Sequence, residues 1–187
     1  MSPEAKAKAV VGGRQVRVVP LKSEQELRQR VSELAAQISR DHAGGEIVAV
    51  GVLKGAYVFM ADLVRQLTVP CRADFMALGS YGSGTETSGE VKVLLDVRIP
   101  LRGQDVLLVE DIVDTGLSLQ HAIARIRRDG PRSLKVCALL DKPSRRRVEV
   151  PIDYLGFTVP DCFIVGYGID WDERFRDLPY LGCVEGV

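Results

Sequence analysis

The chain has 187 residues, 46% of them hydrophobic, enough for one globular domain with a full core. Its 25 basic and 25 acidic side chains cancel, so no overall field draws it towards nucleic acid or an anionic membrane. No apolar run approaches the roughly 20 residues of a membrane span, and the opening MSPEAKAKAVVGG lacks the apolar core of a signal peptide, so a cytoplasmic protein is expected.

In chain order, residues 1–13 read as a flexible tail and Val16–Pro20 as a short strand. A helix follows over Ser23–Ser39. Ser23 with Glu26 offers a capping box, and Leu27, Val31, Leu34, Ala35 and Ile38 form one apolar stripe. Gly44-Gly45 ends that unit. Strand patterns then occupy 46–52, 72–78, 91–95, 105–109, 134–140, 152–156 and 163–165, with helical patterns at 56–67 and 119–129. Alternating strands and helices predict an α/β fold with a mainly parallel sheet, whose ligands bind beyond the carboxyl ends of the strands. No internal repeat or linker marks a second domain.

The most informative stretch is VLLVEDIVDTGLS, residues 106–118. Four apolar residues form a buried strand, and Glu110 and Asp111 follow at its end. Asp114 opens a Thr115-Gly116-Leu117-Ser118 turn that feeds a helix. Taken alone, acids at a strand end are usually solvated loop charges. Joined to a small-residue turn and a helix N-terminus they form a site for a sugar phosphate. The turn and first helical N–H groups hold phosphate, and the acids grip ribose hydroxyls and a metal.

Other segments are weaker when read alone. Lys54-Gly55 after the second strand is by itself a plain connection. The Gly/Ser/Thr-rich loop 80–89 is by itself a flexible hairpin. Lys142, after an apolar strand, is usually a solvated strand end, and Phe163 is usually a core aromatic. Arg145-Arg146-Arg147 reads as a solvated loop or a subunit contact. The cysteines Cys71, Cys137, Cys162 and Cys183 show no Cys-x-x-Cys pair and no neighbouring histidine, so a zinc site is not expected. A reducing compartment makes disulfides unexpected, and Cys137 reads as a small buried hydrophobe. His42 and His121 read as surface or capping residues.

The 106–118 string resembles the phosphoribosyl-pyrophosphate (PRPP) motif of the type I phosphoribosyltransferases. With Leu53-Lys54-Gly55, Leu139-Leu140-Asp141-Lys142-Pro143 and VPDCFIVGYGIDWDERFRDL (159–178), the resemblance extends over about residues 16–183. It is similar throughout to the hypoxanthine (guanine) phosphoribosyltransferases. The resemblance implies the type I fold, a twisted parallel sheet flanked by helices with a small hood from the chain ends. It also implies transfer of phosphoribose from PRPP to hypoxanthine or guanine, with Mg²⁺ as cofactor. The small-molecule substrates would be the partners, in a homodimer or homotetramer, with no nucleic acid and no membrane.

By the same resemblance, Glu110, Asp111, Asp114, Thr115, Gly116, Leu117 and Ser118 bind the ribose phosphate, and Asp114 is the catalytic base. Lys54, Gly55 and Arg176 bind pyrophosphate, the Leu53–Lys54 bond being cis in some members. Lys142, Phe163, Ile164 and Asp170 bind the purine. Glu110, Asp111 and Asp170 contact the metal, and Ser80-Tyr81 belongs to a lid that keeps water from the reacting ribose. An ammonium group only donates, so Lys142 favours a 6-oxo over a 6-amino purine. Leu117, Cys162 and Trp171 depart from the usual family residues. Two alternatives stay open: a PRPP-sensing regulator on this fold that binds RNA or DNA, and an enzyme for another base such as xanthine.

Overall fold

The computed structural model describes residues 7–11, 14–80 and 91–186. Its elements run β1 (Lys8–Val11), β2 (Arg14–Lys22), α1 (Glu24–Asp41), β3 (Ile47–Leu53), α2 (Tyr57–Val64), β4 (Cys71–Ser80), β5 (Val91–Leu95) and β6 (Asp105–Val113). They continue with α3 (Leu117–Arg128), β7 (Ser133–Asp141), a 3₁₀ turn (Pro143–Arg145), β8 (Tyr154–Thr158), β9 (Ile164–Val165) and β10 (Leu181–Glu185). The larger sheet has the order β5-β4-β3-β6-β7-β8. All its pairings are parallel except the antiparallel edge pair β4–β5.

Side-chain alternation along β3 and β6 explains how one sheet carries helices on both faces. Ile47, Ala49, Leu107 and Val109 pack with Leu27, Leu34 and Ile38 of α1 and with Phe59 and Leu63 of α2. The intervening Val48, Val50, Val106 and Leu108 pack with Leu119, Ala122, Ile123 and Ile126 of α3. A strand buried on both faces has no room for polar residues, which is why both read as unbroken apolar runs. Helix α1 starts as its sequence dictates. The Ser23 hydroxyl accepts from the Glu26 N–H and the Glu26 carboxylate accepts from the Ser23 N–H. His42 caps its C-terminus, and Cys137 is fully buried.

The second sheet, β1-β2-β10-β9, is antiparallel and built from both ends of the chain. It corrects two expectations. Lys8–Val11 is a strand paired to Arg14–Arg17 rather than part of a tail, and Leu181–Glu185 is a strand the sequence reading did not contain. The small sheet also brings Cys162 beside Cys183, whose Cα atoms are 5.7 Å apart, and the two form a disulfide. Disulfides were not expected. The correction follows from register, since Cys183 pairs with Ile164 across β9–β10 and so lies against the residue two before it.

Candidate active site

Strand β6 does not stop at Val109 but runs on to Val113, with Ile112 opposite Leu140 of β7 and Val113 opposite Asp141. Glu110 and Asp111 therefore lie in the strand's last turn of pleat, and the chain leaves the sheet immediately before Asp114. Gly116 at φ +86° turns the backbone into α3. A Cβ there would stand 2.5 Å from the Val148 carbonyl oxygen, so both conformation and space demand glycine. No side chain caps the N-terminus of α3. Helix N–H groups left without such partners, at the positive end of the helix dipole, are suited to an anion. A cavity of about 230 Å³ is lined by Glu110, Asp111, Asp114, Thr115, Gly116 and Ser118. Leu117 lies just behind it, its N–H 3.4 Å from the Thr115 hydroxyl. His121, one turn into α3, contacts the Leu117 carbonyl at 2.8 Å.

The Lys54-Gly55 turn lies against the same acids. The Leu53–Lys54 bond is cis, and a Cβ on Gly55 would fall 1.8 Å from an Asp111 carboxylate oxygen. A Cβ on Gly168 would in turn stand 2.4 Å from the Gly55 carbonyl oxygen, so that approach too leaves no room for a side chain. Arg176 is fixed there, donating to the Gly168 carbonyl at 2.8 Å and pairing with Asp170 at 2.8 Å. Glu173 bridges the two cations, 2.8 Å from Lys54 and 3.1 Å from Arg176. The sequence reading did not single out Glu173. One acid in an acid-rich loop carries no signal until the loop folds back over the Lys54 turn.

Lys142 sits at the end of β7, only 6% exposed. Its backbone N–H donates to the Val113 carbonyl, and its ammonium donates to the Cys162 carbonyl at 2.8 Å. Phe163 is no core aromatic. Its ring is 44% exposed and lies 5.3 Å from the Trp171 ring at 45°. Ile164 is buried in β9. The structure therefore gathers Lys142, Phe163 and Ile164 on the β7–β9 side, and Lys54, Gly55, Asp170 and Arg176 on the β3 side, with the acidic strand between. Ser80 closes β4, and Tyr81 lies outside the described residues.

The triple-arginine segment also differs from expectation. Arg147 and Val148 both donate their N–H to the Thr115 carbonyl, so the segment braces the back of the Thr115–Ser118 turn. Arg146 is largely buried and paired with Asp141, its Cδ 3.3 Å from where a Gly116 Cβ would be. Such burial of an arginine requires a carboxylate partner, and the Lys142-Pro143 turn supplies one by folding Asp141 back towards it.

Residues 20–172 match the phosphoribosyl transferase domain family. The chain belongs to the phosphoribosyltransferase family. This phosphoribosyltransferase is 49% identical to the hypoxanthine phosphoribosyltransferase of Salmonella typhimurium, over 86% of the chain and 92% of that protein. It is 44% identical to the hypoxanthine-guanine phosphoribosyltransferase of Bacillus subtilis, over 87% and 91% respectively. A crystal structure of a hypoxanthine-guanine phosphoribosyltransferase from Bacillus anthracis superposes with a TM-score of 0.84 at 47% identity, covering 88% of the chain and 97% of that structure. The mainly parallel sheet with flanking helices is that family's fold.

In this phosphoribosyltransferase the two strand-end acids are electrostatically frustrated. Burial, with Asp111 beside it, pushes the Glu110 carboxyl well above the usual range. Burial likewise pushes Asp111 up to about 6, opposed by backbone N–H bonds from Ile112 and its own residue and by Arg176. Glu110 Oε2 is buried with no hydrogen-bond partner among the described residues. Two crowded carboxylates and an orphaned oxygen fit a hard divalent cation with oxygen ligands. No three acidic or other ligating side chains converge among the described residues, so Asp170 does not join Glu110 and Asp111 in one cluster. Mg²⁺ is usually held through one or two carboxylates together with waters and substrate phosphates. No helix among the described residues is long and apolar enough to cross a membrane.

Proposed function

We propose that the protein transfers phosphoribose from PRPP to a 6-oxopurine, hypoxanthine or guanine, releasing pyrophosphate and the nucleoside monophosphate. One observation carries this reading: an uncapped helix N-terminus and a carboxylate pair, Glu110 buried and Asp111 half-buried, share a cavity, with a buried lysine ammonium at the end of the adjacent strand. The 5′-phosphate would sit on the Thr115–Ser118 turn and the ribose hydroxyls on Glu110 and Asp111. Departing pyrophosphate would meet Lys54, the Gly55 N–H and Arg176, whose guanidinium fork matches phosphate oxygens. Preorganised cations of this kind are usually the largest catalytic contribution. Mg²⁺, held by Glu110 and Asp111 with Asp170 nearby, would neutralise pyrophosphate charge.

On the base side, Phe163 stacks on the purine, the Ile164 backbone contacts its edge and Lys142 donates to O6. As the anomeric carbon–oxygen bond breaks and N9 bonds to that carbon, Asp114 receives the N7 proton, a role worth roughly 10²–10⁴ in rate. A cytoplasmic homodimer or homotetramer completes the proposal, checked by light scattering. The decisive assay is Mg²⁺-dependent formation of inosine monophosphate from hypoxanthine and PRPP, with adenine as control. Equal turnover of adenine, or none of hypoxanthine, overturns the reading.

A further inference from the structure

Two groups assigned above address the same edge of the base, since O6 and N7 are neighbours on a 6-oxopurine. Lys142 approaches one and Asp114 the other, yet they belong to different elements: Lys142 follows β7, and Asp114 lies between β6 and α3. A chain of charged side chains runs between them. Asp161 Oδ1 lies 3.8 Å from the Lys142 ammonium and 3.7 Å from Arg145 Nη1, so one carboxylate oxygen serves both cations. Arg145 Nε in turn lies 3.4 Å from Asp114 Oδ1. That Asp114 oxygen is buried and makes no other polar contact among the described residues, so Arg145 is the cation that restrains it.

Arg145 is well placed for such a role. It ends the 3₁₀ turn that follows Lys142, with its N–H donating to the Lys142 carbonyl. The next residues are fastened to the phosphate turn through Arg146–Asp141 and through the Arg147 and Val148 N–H groups on Thr115. The backbone under Arg145 is therefore rigidly tied to both elements it bridges, while its side chain is half exposed.

We infer that Arg145 and Asp161 are positioning residues, which hold the Lys142 ammonium and the Asp114 carboxylate at the spacing of the purine O6 and N7 atoms. The inference rests on the proposed function and extends it to two residues that touch neither substrate. Contacts of 3.4–3.8 Å are longer than good hydrogen bonds. The relay therefore acts as a soft electrostatic tether, tuning geometry without locking it. Arg145 and Asp161 are the two inner members of a single chain from Lys142 to Asp114, so neutralising either one breaks the connection and the two act as one unit.

The test is a mutant cycle read in purified enzyme: Arg145→Gln, Asp161→Asn, the double variant and Arg145→Lys. Each neutral single variant is expected to lower kcat/KM for hypoxanthine about tenfold. The double variant should fall about tenfold and not a hundredfold, because residues acting as a unit are not additive. Arg145→Lys should stay within about threefold of wild type, and KM for PRPP within about twofold in every variant. Losses that multiply in the double variant, an unchanged kcat/KM, or a PRPP KM that rises in step overturn the relay. Melting temperatures measured alongside separate a mere loss of folding, which would lower all parameters together. A wild-type enzyme that makes no nucleotide from hypoxanthine would instead refute the underlying function.

Discussion

Alanine at Gly55 separates the fold from the site more cleanly than any other single change. An added Cβ would stand 1.8 Å from Asp111 Oδ2 and 2.5 Å from its Cγ. To restore an ordinary contact of 3.4 Å the carboxylate must retreat by roughly 1.6 Å, and it can, being the end of a side chain. The stability cost is therefore small, at or below the lower end of the 1–3 kcal/mol typical of overpacking, about 2–4 °C in a domain of this size. The catalytic cost is not small. A displacement of about 1 Å in a positioned group can reduce rate about 10²-fold, and Asp111 is assigned to both ribose and metal. Steady-state kinetics with PRPP and hypoxanthine should show kcat/KM down at least about a hundredfold beside a melting temperature within a few degrees of wild type. Gly45→Ala, whose Cβ meets only the His42 carbonyl at 3.4 Å and Asp105 at 4.0 Å, is the matched control with unchanged kinetics. Gly55→Ala with activity within threefold of wild type would refute the assignment of Asp111 and the tight Gly55 approach together.

The remaining predictions are more compact. Asp114→Asn should leave nucleotide binding within a few-fold, by calorimetry, while turnover falls at least about a hundredfold; unchanged turnover removes the base assignment. Lys142→Met deletes the O6 donor and leaves the Cys162 carbonyl unpaired, so hypoxanthine should lose about tenfold or more in kcat/KM while adenine does not. A fall shared equally by both bases would refute O6 recognition. Asp111 and Glu110 titrate higher folded than unfolded, so the native protein retains protons that the unfolded chain has released; the Asp111 contribution to stability falls as pH rises from about 4 through about 6, and that of Glu110 falls in the same direction. Asp105, held down to about 2 by Arg132, acts in the opposite sense, but its contribution is complete above about 4. The melting temperature without Mg²⁺ should therefore drop between pH 4.5 and 7.5, and drop less in Glu110→Gln. Parallel curves for the two proteins would show that the acid pair stores no such cost.

Local pattern revealed most of the larger sheet, because strands buried on both faces and an amphipathic helix with a capping box leave strong periodic marks. The hood was harder. Lys8–Val11 pairs locally with Arg14–Arg17, but Leu181–Glu185 is a short strand whose pairing comes from a partner far along the chain, as in Glu185 opposite Arg17. Nothing within five residues announces such a partner. The Cys162–Cys183 pair and the reach of Arg145 to Asp114 escaped for the same reason. In the site, family motifs carried Lys54, Lys142 and the 106–118 string, whose residue types already express their chemistry. Glu173 and Asp161 are ordinary surface acids until folding sets each against two cations.

The strand order of the small sheet has a consequence for synthesis. Strand β9 has β10 as its hydrogen-bonded neighbour, and β10 fits between β2 and β9. Translation therefore delivers the strand–turn–helix bearing Glu110 to Ser118 first, since β6, α3 and β7 are all present once residue 141 has emerged. The segment bearing Phe163 must wait until residues 181–185 leave the ribosome. The strand, turn and helix that carry the acids are thus made before the segments that complete the base and pyrophosphate sides, Phe163 and Arg176 among them.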